Sequence, residues 1–159
     1  MFTRKISISL AAAGAVLGSV ASPAIAADTM DPNVEQRCTS EQHRDHGFLN
    51  VDTWVKLCVV RSGGTYWARA DVRWSGVAGR DFEKYVVNVR LERNDADYRT
   101  KNDNLVGEWG DGSDSKLIST GGYTSATLGG WTADGNVTYN EDLDGKGDYV
   151  WHLTGSPSL

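Results

Sequence analysis

Only two cysteines, Cys38 and Cys58, stand in a chain of 159 residues. So few thiols exclude a disulfide-dense miniprotein, which needs several bridges in place of a core. Long apolar runs are missing after residue 26, so no membrane span is expected in the rest of the chain. Helical periodicity is missing too, and no amphipathic helix of useful length can be traced after residue 50. Cations almost vanish from the last third, where residues 103–159 hold nine acidic side chains against Lys116 and Lys146 alone. Hydrolytic motifs are equally wanting. There is no Gly-x-Ser-x-Gly elbow and no His-Glu-x-x-His pair, and a bridged cysteine pair leaves no thiol nucleophile. His152 is the one histidine outside the N-terminal segment and falls in a strand pattern, where it reads as a surface residue. The expectation is a protein that is not an enzyme.

What is present describes an ordinary globular domain, with 40% apolar and 23% charged residues. The first 26 residues have the three parts of a secretion signal. Arg4 and Lys5 form the cationic start, Ile6 to Val20 form an uncharged apolar run, and Ala24-Ile25-Ala26 offers the small-x-small site that signal peptidase accepts. Cleavage is expected after Ala26, with Ala27 as the alternative, giving a secreted, extracellular protein with no membrane attachment. Losing the leader's two cations leaves 14 basic and 21 acidic residues, a net charge of −7. That charge argues against nucleic acid as a partner, because phosphate binding needs a basic surface.

In an exported protein, two cysteines read as one structural disulfide, Cys38–Cys58. Residues 27–52 read as a loosely ordered arm, in which Asp31-Pro32 could open a turn or two of helix. From 53 onward the pattern has period two. Tyr66, Ala68, Ala70, Val72 and Trp74 alternate with Trp67, Arg69, Asp71 and Arg73, and Tyr85, Val87, Val89 and Leu91 repeat the pattern. With Thr53–Arg61, joined through Ser62-Gly63-Gly64, they predict three consecutive antiparallel strands. Cys58 falls opposite in parity to Val55, Leu57 and Val59, so the disulfide is expected to draw the arm across that second face, with Phe48 and Leu49 over Trp54 and Val60. Asn94–Asn104 reads as a polar loop. Shorter strands are expected near Leu105–Trp109, Lys116–Thr120, Tyr123–Leu128, Asn136–Asn140 and Tyr149–Thr154. The domain from 53 to 159 is therefore expected to be all-β, a single antiparallel β-sandwich of about seven or eight strands, with a small β-barrel as the alternative.

Three constellations could carry binding. Asp142-Leu143-Asp144-Gly145-Lys146-Gly147-Asp148 resembles the short Asp-x-Asp-Gly-x-Gly-Asp calcium loops of extracellular β-proteins. The resemblance implies Asp142, Asp144 and Asp148 as calcium ligands. Lys146 stands where another ligand belongs, and a plain Asp/Gly hairpin turn is the favoured reading; no other cofactor is indicated. Glu41, His43, Asp45 and His46 could offer zinc ligands if His43 and His46 shared a helical face, but a solvated polar arm is favoured. The aromatics are the third. Trp67 sits on the charged side of its strand with Arg69 and Arg73, and Trp109 and Trp131 sit beside glycine-rich loops. Flat rings among hydrogen-bonding groups are what a sugar-binding face needs, against the alternative that they fill the core. The organisation resembles the small exported β-domains of Gram-positive bacteria. The expected function is a secreted, non-catalytic protein that binds an extracellular glycan or surface component. An extracellular protein-interaction module, such as an inhibitor or effector, is the alternative, and a secreted hydrolase is the least favoured.

Overall fold

The computed structural model describes residues 33–47, 51–76, 82–108, 113–141 and 145–159. Residues 1–32, with the expected leader among them, and Phe48, Leu49, Trp109, Asp142 and Asp144 lie outside the described residues. Every regular element is a strand: β1 (Val34–Cys38), β2 (Gln42–His46), β3 (Val51–Ser62), β4 (Thr65–Gly76), β5 (Phe82–Arg93), β6 (Ala96–Asn104), β7 (Asp114–Ser119), β8 (Tyr123–Thr124), β9 (Trp131–Glu141) and β10 (Tyr149–His152).

Two antiparallel sheets face each other. One runs β1-β3-β4-β7, with β2 also on β3 and β8 also on β4; the other runs β10-β9-β5-β6. In the first sheet β1 and β2 follow the same edge of β3 end to end, and β7 and β8 do the same along β4. Both sheets are therefore four strands wide, a sandwich rather than a closed barrel.

The alternation along β3, β4, β5 and β9 sends one row of each strand inward. Val55, Leu57, Val59, Ala68, Ala70, Val87, Val89 and Val137 form the aliphatic middle and are nearly inaccessible. Aromatic clusters close the two ends of this core. Phe82, Tyr85 and Tyr139 pack around His46 at one end. At the other, Trp131 stacks on Tyr66 with centroids 4.7 Å apart and meets Tyr98 and Tyr123. Residues 153–159 follow β9 as a bonded tail, in which Leu159 and Trp131 exchange backbone hydrogen bonds of 2.9 and 3.2 Å.

The structure departs from the sequence reading at several places. The third of the three consecutive strands, β5, belongs to the second sheet, so the chain crosses between layers after the β3–β4 hairpin. The arm forms no helix over 33–47. It supplies β1 and β2, because pairing with the exposed edge of β3 satisfies backbone groups that local propensity leaves undecided. Cys38 lies directly opposite Cys58 in that ladder, with Cα atoms 4.0 Å apart, so the disulfide binds the arm beside β3 and not across its face. Asn94–Asn104 is not a loop: Asn94 and Asp95, at φ 51° and 63°, form a two-residue turn into β6. Its side chains are wet on both faces, which erases the period-two signal. No strand forms over Leu105–Glu108, where a turn closes through Glu108 N–H to Leu105 O at 3.0 Å. Only Tyr123 and Thr124 of the 123–128 run pair with β4.

The bridge closes a loop of sequence separation 20, so Cys38→Ala with Cys58→Ala should lower unfolding free energy by about 3 kcal/mol and keep a cooperative transition. Urea unfolding checks this. Gly135 faces a different constraint, since a Cβ there would stand 2.2 Å from the Asn88 carbonyl oxygen. Gly135→Ala should therefore cost on the order of 1–3 kcal/mol in the same assay.

Candidate functional site

Strand parity brings Trp67, Arg69, Asp71 and Arg73 of β4 onto the outward face of the first sheet, in one row. Beside them on β3 stand Trp54, Lys56, Cys58 and Val60. The disulfide and Val60 form a dry floor on this face, with Cys58 at 0% and Val60 at 2% exposure.

Two tryptophans here differ in availability. Trp54 lies in register with His43 on one side and Arg73 on the other. His43 stacks on its ring at 5.0 Å, and the Arg73 guanidinium sits 4.0 Å from its centroid. Both ring faces are thus covered by its own neighbours. Trp67 is half-buried and lies opposite Val60 on β3. On its other side the ladder runs from Thr120, bonded to Ala68, to Tyr123, paired with Tyr66. The residues between are Gly121 and Gly122, both exposed, which have no side chain to set against the indole.

The polar groups along the row are organised as pairs. Asp71 takes Arg69 at 3.1 Å and Lys56 at 3.2 Å. Glu41 receives both Nε and Nη2 of Arg73, at 2.7 and 2.8 Å. Those two bonds hold the Glu41 carboxyl below the usual carboxylate range. His43 Nε2 lies 2.6 Å from Asp52 Oδ1. At the Arg73 end the face dips into an open depression of about 330 Å³, lined by Glu41, Lys56, Asp71, Arg73, Ser115 and Leu117 among others. Leu117 is 60% exposed there, an apolar contact set among charged pairs.

Trp131 does not join this face. Trp131 is 1% exposed and belongs to the core. The turn at Gly129 and Gly130, both at positive φ, delivers it inward, and its Nε1 donates to Thr127 O at 3.0 Å. Trp109 lies outside the described residues, as do Asp142 and Asp144. Asp148 of the same acidic loop is paired with Lys84 at 2.5 Å. Among the described residues no group of three or more His, Cys, Asp or Glu is placed to hold a metal ion. His43 and His46 cannot share a face, because three residues along a strand reverse the side; His43 points outward and His46 inward. His152 is exposed on the outward face of the second sheet, opposite Asn136.

His46 is the residue the sequence reading misplaced most. It is not part of a solvated arm but is buried, 1% exposed, with Nδ1 at 3.1 Å from Glu141 Oε1 and Nε2 at 3.2 Å from Thr53 Oγ1. A neutral ring serves both by donating Nδ1–H to the carboxylate and accepting the threonine proton. Glu141 is 95 residues away in sequence, so no local signal could join the two.

No protein-family model, no curated protein and no solved structure matches this chain.

Burial among Phe82, Tyr85 and Tyr139 pushes the His46 pKa down and outweighs the opposing pull of Glu141; the nearby Arg44 cation lowers it further, and Asp45 raises it. The unfolded chain then binds the extra proton first. Stability is complete above the ordinary histidine value, about 6.5, and falls as pH drops below it. Unfolding free energy measured between about pH 5 and 7 should show this decline, and His46→Gln should flatten it.

Proposed function

We propose that this chain is a small exported, non-catalytic β-sandwich protein that binds an extracellular glycan or cell-surface component on the outward face of its first sheet. The observation that carries the reading is Trp67: a partly exposed indole on the outward row of β4, beside two exposed glycines, with hydrogen-bonding side chains following it along the strand. A partly exposed aromatic ring is a platform for the C–H face of a sugar, and adjacent fixed polar groups give it orientation. The secretion leader and the Cys38–Cys58 bridge support export. The reading also agrees with the absence, among the described residues, of a helix long and apolar enough to cross a membrane. A long presentation loop over 94–104 would have favoured a protein-interaction module, but that segment is the β5–β6 hairpin.

The test is retention on insoluble cell-wall and plant polysaccharides. Wild-type protein should be retained, and Trp67→Ala should weaken retention on the order of tenfold, from the loss of about 1–2 kcal/mol of apolar contact. Trp67 is outside the inward core row but lies over Val60, so the variant should lose about 1 kcal/mol of stability and keep a cooperative unfolding transition, which thermal unfolding beside the retention assay checks. Failure of the wild-type protein to bind any glycan removes the proposal.

A further inference from the structure

The row that begins at Trp67 continues without a change of side through Arg69 and Asp71 to Arg73, and ends at the depression containing Leu117. Six residues of strand span roughly 20 Å, room for several sugar units end to end. A single sugar on Trp67 would leave most of this row untouched. The strip follows one strand whose pairing with β3 runs without a register shift, and it is flanked on β7 by the short side chains of Ser119 and Ser115, opposite Arg69 and Arg73.

Each cation of the strip already has a carboxylate beside it, Lys56 and Arg69 sharing Asp71 and Arg73 holding Glu41. A polyanion would have to compete with Asp71 and Glu41 for these cations, and a polycation with the cations for the two carboxylates. A hydroxyl group need only accept from or donate to their remaining hydrogen-bonding positions.

We infer that the ligand is an uncharged, ribbon-like polysaccharide chain lying along β4, with one unit on Trp67 and a later unit in the depression beside Asp71, Arg73 and Leu117. This rests on the reading of the outward face as the ligand face and adds to it the polymer's charge, length and direction. Extended β-1,4-linked chains can reach both ends of this row; helical or coiled chains of the same number of units reach less far.

Calorimetric titration with cello- and chito-oligosaccharides of increasing length, on the full secreted chain, tests it. Affinity in at least one series should rise on the order of tenfold from dimer to hexamer, and should hardly change between low and high salt. Trp67→Ala should weaken every length. Leu117→Asp, at an exposed position on β7, should weaken the hexamer and leave the dimer unaffected. Binding that requires Trp67 but is the same for dimer and hexamer overturns the extended-chain inference and leaves the face reading standing. A preference for polygalacturonate that disappears in high salt overturns the uncharged class. No binding by the wild-type protein to either series, or to cellulose or chitin, overturns the inference. Loss of the face reading as well would need failure on every glycan.

Discussion

The β3–β4 register is the constraint on which the rest depends. With Val55 opposite Val72, Leu57 opposite Ala70 and Val59 opposite Ala68, the apolar row of each strand faces the second sheet. A slip of one residue would turn Trp67, Arg69, Asp71 and Arg73 inward and leave buried charges, a cost no packing at this site could offset. The same pairing that forms the core therefore forms the outward strip. It also sets Cys58 where Cys38 can meet it, and the bridge fastens β1 to the central strand of the hairpin.

The edge formed by β1 and β2 is the less regular part. Cys38 pairs with Cys58 but Gln42 pairs with Val55, so the arm spends four residues where β3 spends three. The extra residue is the mark of a bulge, and Thr39 occupies it by bonding both backbone groups of Leu57. Beyond it, alternate side chains of β2 reach over to the other sheet. The Gln42 amide exchanges two hydrogen bonds with the backbone of Thr154, Arg44 donates to the Tyr139 hydroxyl at 2.7 Å, and His46 meets Glu141. These contacts close one flank of the sandwich with polar side chains where a core would use apolar ones. They also explain why a segment so polar in composition is ordered at all.

Long strands with one dry face were legible from the sequence, since Val, Ala, Tyr and Leu recur at every second position of β3, β4 and β5. The cysteine pairing was legible from a count of two. Edge strands were not. In β2 only His46 is buried, and β6 presents no buried residue, so neither gives an alternating pattern; their strand geometry comes from the neighbour they pair with. The membership of β5 in the second sheet was hidden for a different reason, because alternation reports which side of a strand is dry and nothing about which sheet holds it. Of the expected ligand face, Trp67, Arg69 and Arg73 are placed together by a parity visible in the sequence. Trp131 has similar glycine neighbours but an opposite fate, and only the turn before it distinguishes the two.

Comparison of the two outward faces shows why the first sheet is the better candidate. The second sheet is also flat and polar: His152, Asn136, Asn88 and Asn102 stand in line across its four strands, and Asn88 donates to Asn102 at 2.7 Å. Arg90 there is held among Glu92, Asp97 and Asp134. What that face lacks, on its outward rows of β5 and β9, is an aromatic side chain, since Tyr85, Trp131 and Tyr139 all point into the core. Hydroxyl and amide hydrogen bonds exchange with water at little net gain, so a purely polar surface binds a sugar weakly. Apolar contact supplies the surplus. On the first sheet a half-buried indole stands over a dry floor, and the neighbouring cations each lie against a carboxylate, so binding there need not compete with strongly hydrated free ions.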